Sequence, residues 1–507
     1  MKRRMSMPGK LLWYGPSPLP GILYKLNKRG FTVLENPDET DLNDSLLGIT
    51  SIVVFGHETN DAKFNQATYK QLPRFINHGI LVLILANRKD RSRIHEEYLK
   101  LIDANFPWTE EVAFLNDLRQ QNFDNIVEYQ PTQKWSHIRI VELDHSEKLK
   151  SDERLLICRA FQNAEELHIH ELQSGFTTSR VFMAYEKRRL SSTAHWTLPR
   201  LVKIGNRKVL AHEVGAMKDA SPFIPFELRP NLEVYVEGFS KSVYIADFVE
   251  KSESMLVAAR AGRAENAISN LFNRTLLRWR DIAWQKTKPN ESLALAAERL
   301  GIISPDKIHR DYLDSEPIQN AGIDVNTLWE ILKNISFEHR SAIIHGDLHG
   351  DNIRVRGDDA ILIDLGEVKG TNEFGKGAPI CFDVAMLEVA LVFTCTDEEN
   401  ASQQFKQPEW EQNIRPFYDL DAILCTPDRD SAPRPDFWLF GCLQRVRAFS
   451  IYEQSDPHEY AIALVIALWR WCKFSPKSVT DKGRRVVALE IGAHIISQIE
   501  AQRKKSP

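Results

Sequence analysis

The sequence predicts an α+β chain in which a small α/β domain precedes a two-lobed unit, β-rich first and helical second. Three observations carry this. Short, β-rich apolar runs at 10–14, 31–34, 51–55 and 80–85 are separated by longer amphipathic stretches such as 62–78. Strand-like runs return at 167–172, 180–185, 199–204, 233–236 and 242–248, interrupted by one amphipathic segment at 208–217. From residue 252 onward helical periodicity dominates, at 254–284, 293–300, 327–335, 382–393, 436–452, 458–474 and 484–502. Strands followed by helices, rather than alternating with them, make the second part α+β.

The first 130 residues behave differently from the rest. Continuous apolar strands separated by helices imply a parallel sheet covered on both faces. The pattern resembles a flavodoxin-like or receiver-like domain. Its first strand runs into Gly15-Pro16-Ser17-Pro18, which lacks the Gly-rich turn of a phosphate site. Its third strand ends at Phe55-Gly56-His57, where a receiver carries an Asp. A degenerate receiver-like or interaction module, open to a protein partner, is therefore expected over residues 1–130. Residues 131–155, with Pro131 and a charged run at 147–154, are expected to be a linker. The β-rich lobe is expected at 156–251 and the helical lobe at 252–507.

The 507 residues are 43% hydrophobic and 26% charged, a soluble globular composition able to bury a core in each domain. The net charge of −4, from 65 basic and 69 acidic residues, gives no electrostatic argument for nucleic acid. The longest apolar run, about 461–472, contains Arg470 and is too short for a bilayer span of roughly 20 residues. Residues 1–10 are basic but no apolar stretch follows, so no secretory signal is expected and the default location is cytoplasmic. Cys158, Cys381, Cys395, Cys425, Cys442 and Cys472 form no CxxC pair, which argues against a zinc site or a disulfide framework. Buried thiols in a reducing compartment are the expectation.

The chemistry concentrates in residues 341–368, SAIIHGDLHGDNIRVRGDDAILIDLGEV. An apolar lead-in ends at His345-Gly346-Asp347, and Asn352 follows at a fixed offset. Two strands, 352–355 and 360–363, flank the turn Arg356-Gly357-Asp358-Asp359, and the second ends at Asp364-Leu365-Gly366. A tight hairpin would thus present two carboxylates and one carboxamide. Phosphoryl transfer calls for such a set. Triphosphate charge requires a divalent metal with hard oxygen ligands, and the acceptor hydroxyl requires a carboxylate to orient it and take its proton. A lone Gly-Asp pair is ordinary turn chemistry; four elements in order are not.

These residues resemble a known family. HGDLHGDN matches the His-x-Asp-Leu-x-x-x-Asn catalytic loop of protein kinases. With Gly after the His, it is closer to the aminoglycoside phosphotransferase and choline kinase branch. The resemblance implies a kinase-like fold that binds ATP and Mg2+. Asp347 would be the catalytic base, Asn352 a metal ligand, Asp364 the principal metal ligand and His345 a structural residue of the loop. Phe382-Asp383-Val384-Ala385 resembles the start of the next helix in that superfamily, where the Asp buttresses the catalytic loop, which gives Asp383 a supporting role. His349 and Asp351 are expected to shape the loop or face solvent.

The upstream lobe would then hold the nucleotide. The stretch 172–181 would cover the phosphates through backbone N–H groups and the hydroxyls of Ser174, Thr177, Thr178 and Ser179, with Gly175 as its one glycine. It departs from the usual three glycines, and an ordinary hairpin turn fits it equally well. Leu201-Val202-Lys203-Ile204 resembles the strand whose Lys meets the α- and β-phosphates, which selects Lys203, with Lys187 as the fallback. Glu213, on the amphipathic segment that follows, is the expected partner of that Lys. Adenine would lie near 244–250.

The leading function is an ATP- and Mg-dependent phosphotransferase acting on a hydroxyl of a small molecule or protein. The missing Arg beside Asp347 and the lack of an Ala-Pro-Glu element favour a small-molecule acceptor; the extra α/β domain favours a signalling context. A catalytically weak nucleotide-binding scaffold and a nucleotidyl transferase are the alternatives.

Overall fold

The computed structural model describes residues 10–14, 17–28, 31–35, 50–56, 81–85, 112–115, 138–143, 148–161, 163–172, 179–190, 193–237, 241–286, 288–370, 377–394, 407–424, 438–475 and 482–505. The chain divides into two compact units, Met1–Ala211 with Leu232–Phe248, and His212–Asn231 with Val249–Pro507.

The first unit contains two sheets. Strands β1 (Lys10–Tyr14), β2 (Thr32–Glu35), β3 (Thr50–Gly56), β4 (Leu81–Leu85) and β5 (Val112–Leu115) pair in the order β2-β1-β3-β4-β5, all parallel. Leu11, Leu12, Trp13 and Tyr14 are all buried, so β1 hides both faces, as a central parallel strand does. Helix α1 (Pro20–Lys28) lies between β1 and β2 in the chain. The amphipathic stretch 62–78 and the turn residue His57 lie outside the described residues.

The second sheet is built from β6 (Arg139–Glu142), β7 (Ala164–Leu172), β8 (Arg180–Leu190), β9 (Thr193–Trp196), β10 (Arg200–Asn206), β11 (Leu232–Glu237) and β12 (Lys241–Asp247). Its order is β11-β12-β10-β8-β7-β6, with β9 paired to β8. All its pairs are antiparallel except β6 with β7. Helix α2 (Ser151–Ala160) packs Leu156 and Ile157 into the same core as Ile140, Leu167, Phe182, Val202 and Ile204. The segment expected as a linker therefore contributes a strand and the start of a helix. Its inward residues, Ile138 and Ile140, alternate over a run too short to stand out against the charges that follow. Glu153 fastens α2 to the sheet, accepting from Arg180 Nη1 at 2.8 Å and from Lys241 Nζ at 2.8 Å.

Helix α3 (Arg207–Ala220) opens on Asn206, whose Oδ1 accepts from the Lys208 N–H at 3.0 Å.

The second unit is mostly helical. It holds α4 (Met255–Arg260), α5 (Glu265–Asn270), α6 (Leu277–Gln285), α7 (Leu293–Arg299), α8 (Arg310–Leu313), α9 (Glu316–Asn320) and α10 (Val325–Lys333). After them come α11 (Cys381–Phe393), α12 (Gln407–Ile414), α13 (Leu420–Leu424), α14 (Trp438–Ile451), α15 (Glu459–Trp471) and α16 (Lys482–Lys505). The single helix expected over 254–284 is broken. Gly262 takes φ +70° and ends α4, with its N–H donating to Ala259 O and the Arg263 N–H to Ala258 O. A π-helical turn, Leu271–Thr275, then separates α5 from α6.

Every residue of α11 is buried, and α14 and α15 pack against it. Glu388 of α11 is held by Arg447 Nε at 2.9 Å and Nη2 at 2.7 Å, and by the Tyr460 hydroxyl at 2.6 Å. A buried carboxylate needs such a complete set of donors.

Short strands frame the site: β13 (Glu253–Ser254), β14 (Asn290–Ser292), β15 (Ser336–Glu338), β16 (Ser341–Ala342), β17 (Ile353–Arg356), β18 (Asp359–Leu362) and β19 (Ala378–Pro379). β13, β17 and β18 form one sheet, and β16 pairs with β19. Cys158, Cys381, Cys442 and Cys472 are free thiols; Cys395 and Cys425 lie outside the described residues. Among the described residues no helix is long and apolar enough to cross a membrane.

Candidate active site

The loop from His345 to Asn352 is pinned from behind. β16 pairs with β19, which leads directly into α11, so Asp383 in the first turn of α11 lies under the loop. Its carboxylate accepts from the His345 N–H at 2.7 Å and the Gly346 N–H at 3.0 Å. Burial pushes the Asp383 carboxyl above its ordinary range, against the pull of His345 and the two backbone donors. Gly346 is required by shape as well as by conformation. Its φ is +75°, and a Cβ there would collide with the Glu367 carbonyl.

His345 is fully buried, with Nε2 3.3 Å from Ile363 O. A proton on Nε2 makes that a hydrogen bond, and Nδ1 meets no hydrogen-bond partner among the described residues. The imidazole thus links the loop to the strand that delivers Asp364.

Asp347 faces outward. Its side chain is 29% exposed, and Oδ1 accepts from Arg470 Nη2 at 2.6 Å, with His349 Nε2 3.8 Å from Oδ2. Burial raises the Asp347 pKa, but the Arg470 guanidinium, with His349 and His345, outweighs it and holds the carboxyl below the usual range. His349 caps the turn Gly350–Asn352, its Nδ1 accepting from the Asp351 N–H at 3.3 Å. Gly350 seats that turn on α4, where a Cβ would stand 2.9 Å from Leu256 Cβ.

Asn352 joins the loop to the hairpin. Its Nδ2 donates to Asp347 O at 3.0 Å, which leaves Oδ1 as the atom able to serve a cation. Its carbonyl accepts from the Ile363 N–H at 2.9 Å, which fixes Asn352 beside the end of β18. Asp364 follows there with φ 55° and ψ 67°, a left-handed conformation at a residue that is not glycine. Such a conformation costs about 1–2 kcal/mol and turns the carboxylate off the strand. Glu213 comes to the same turn. A Cβ on Gly366 would lie 3.0 Å from Glu213 Cγ and 3.4 Å from Asp364 Oδ1.

The helical unit thus gathers His345, Asp347, Asn352, Asp364, Asp383 and Glu213 around one loop and one hairpin. Lys203 belongs to the other unit. It occupies the middle of β10, opposite Val181 and Tyr244, and is 7% exposed. The pleat sends Val202 and Ile204 into the core shared with α2 and Lys203 to the other face. Lys187, the fallback, lies over the Trp196 ring and 3.7 Å from Glu166. Ser174, Gly175, Thr177 and Thr178 lie outside the described residues. Ser179 is buried against β10, where a Cβ on Gly205 would overlap its Oγ.

Arg470 went unrecognised as a site residue. Its signal was present: one guanidinium inside an otherwise apolar helical run must find a partner. Among the described residues no group of three or more His, Cys, Asp or Glu side chains is placed to hold a metal unaided. Asn352 Oδ1 and the Asp364 carboxylate are oxygen donors of the kind a hard divalent ion takes.

No protein-family model matches the chain, and no curated protein matches it. Solved structures overlap it partly. A thermostable mutant of the aminoglycoside phosphotransferase APH(4)-Ia is 14% identical, with 64% of this chain and 94% of that chain covered and a TM-score of 0.33. An aminoglycoside-3'-phosphotransferase of type VIII is 15% identical, with 55% and 93% covered and a TM-score of 0.30. The aminoglycoside phosphotransferase APH(3'')-Id from Streptomyces rimosus ATCC10970, in complex with ADP and streptomycin, is 16% identical, with 53% and 90% covered and a TM-score of 0.25. Overlaps of this extent leave the function to be argued from the site itself.

Proposed function

We propose that this chain transfers the γ-phosphoryl group of ATP to a hydroxyl acceptor. The observation that carries this reading is one hairpin joining Asp347, Asn352 and Asp364 through the Asn352 bonds to Asp347 O and Ile363 N–H, with Asp383 bracing the loop behind. Asn352 Oδ1 and the Asp364 carboxylate would hold Mg2+, which when bound neutralises the phosphate oxygens. Asp347 orients the acceptor hydroxyl and takes its proton. Its lowered pKa keeps it ionised at neutral pH, and a carboxylate of that kind positions a hydroxyl more than it activates it. Lys203 and Glu213 would pair at the α- and β-phosphates, with the loop of Ser174, Gly175 and Thr177 over them.

Residues 1–130 form, on this reading, a flavodoxin-like module of receiver type that offers a protein-binding surface. The parallel order β2-β1-β3-β4-β5 supports it. The kinase-like part then comprises a β-rich lobe up to 251 and a helical lobe over 252–507, and β6 and α2 move its start into the segment 131–155.

A nucleotide-binding scaffold is the second reading, favoured by the direct pairing of Asp347 with Arg470. Incubation of the purified chain with γ-labelled ATP, Mg2+ and a cell extract separates the two. Transfer of label to a product supports the enzyme; tight nucleotide binding without transfer supports the scaffold.

A further inference from the structure

The surroundings of Asp347 carry an excess of positive charge that the reaction as proposed does not use. The geometry points to an acceptor that is itself an anion, a hydroxyl compound bearing a phosphate or carboxylate group held by Arg470, Lys473, Lys307 and Lys369. This specifies the substrate class of the phosphotransferase proposed above and rests on that reading.

Four separate elements bring these cations together. Arg470 ends α15 and touches Asp347 directly. Lys473 lies one turn further on, its N–H donating to Arg470 O at 3.1 Å. The 3-10 turn Pro305–Lys307 is tied to the same place, because the His309 N–H donates to Cys472 O at 3.0 Å. Lys369 pairs across a β-bridge with Ile344, three residues before Asp347, and its Cγ would lie 2.9 Å from a Cβ on Gly346.

The local carboxylates do not balance them. Asp347 is taken by Arg470, and Glu367 by Lys369 Nζ at 3.0 Å. Lys307 Nζ reaches only the Gly301 carbonyl, at 3.3 Å, and among the described residues neither Lys307 nor Lys473 has a carboxylate at ion-pair distance. Burial lowers the Lys473 pKa first, and the like charges of Arg470, Lys307 and Lys369 lower it further, against the weaker pull of Glu367. An anion docked among them would relieve that repulsion, and its bond to Arg470 would loosen the grip on Asp347 where the base is needed. A cationic acceptor would meet repulsion at every one of these side chains.

Two measurements on the full chain test this. First, binding of glycerol 3-phosphate and of glycerate, with ADP and Mg2+ saturating, is followed by calorimetry in wild type and in the Lys307→Gln/Lys473→Gln variant. Lys473 is exposed and Lys307 half-buried, so the variant is expected to fold. At least one probe is expected to bind, at least tenfold more weakly to the variant, and the tighter probe tells phosphate from carboxylate. No binding of either, or equal binding to both proteins, overturns the inference. Second, γ-labelled ATP is offered with pooled anionic, neutral or cationic hydroxyl compounds. Label is expected in the anionic pool. Label confined to neutral or cationic acceptors overturns the anionic acceptor and leaves phosphoryl transfer standing; probe binding with no label in any pool defeats phosphoryl transfer and leaves the anion site standing.

Discussion

The two faces of the 345–352 loop carry the same side chain in opposite circumstances. On the outer face Asp347 is 29% exposed and paired with Arg470, and its pKa is lowered. On the inner face Asp383 is buried against two backbone N–H groups, and its pKa is raised by burial. The difference separates two jobs. On the proposed reading, the carboxylate that can be approached and stays ionised handles a proton and an acceptor. One sealed under the loop fixes where the first carboxylate stands and touches no substrate.

Removing the outer carboxylate should break chemistry without breaking the fold. Asp347→Asn is expected to lower turnover by about two to four decades, with nucleotide affinity retained. Its chemical denaturation should stay within about 1 kcal/mol of wild type, because the amide oxygen can still accept from Arg470. Steady-state transfer and a denaturation curve read the two together.

Removing the inner carboxylate should do the reverse. Asp383→Ala strands two buried N–H groups at about 1–3 kcal/mol each, so a stability loss of about 2–5 kcal/mol is expected by denaturant titration. Asp383→Asn, which keeps one good acceptor, should lose less. Turnover of the folded fraction should fall less than in Asp347→Asn.

A third carboxylate sharpens the contrast through pH. Burial pushes the Glu459 carboxyl, at the start of α15, up to about 7 from 4.5, despite the Ser455 N–H bond at 2.8 Å. The folded state therefore holds a proton that the unfolded state has released between those values. Stability should fall as pH rises through that window, by up to about 3 kcal/mol. Asp347 has the opposite sign, its contribution being present at neutral pH and lost as pH falls through its lowered folded pKa. Thermal unfolding of wild type and Glu459→Gln from pH 4.5 to 7.5 checks it, the variant being expected to lose most of that slope.

The smallest effect concerns Asp364. Asp364→Gly is expected to relieve the left-handed strain and raise stability by about 1 kcal/mol, while removing Mg-dependent nucleotide binding. A gain in thermal midpoint together with loss of that binding is the signature.

The same contrast explains what could be read in the sequence. The outer face was legible because Asp347, Asn352 and Asp364 fall within one short segment whose strands and turn are local, and β17 and β18 lie within a residue of expectation. Asp383 was singled out by the resemblance of Phe382-Asp383-Val384-Ala385 to a helix start in the kinase-like superfamily. Arg470 was not assigned to the site, because its partner is 123 residues away and no local pattern encodes that pairing. The helix over 254–284 was misjudged because apolar spacing continues through Gly262 and the π turn, where the backbone does not. Strand β6 was hidden because four residues beside a charged run carry little periodicity.

The central claim is that Asp347 serves γ-phosphoryl transfer at a metal-binding hairpin. It is met most directly by parallel incubations of wild type and Asp347→Asn with Mg2+, acceptor extract and ATP labelled at either the γ or the α position. Product label from γ alone, in wild type and not in the variant, is the expected result. Equal labelling by both proteins, or label arriving from the α position, would contradict it.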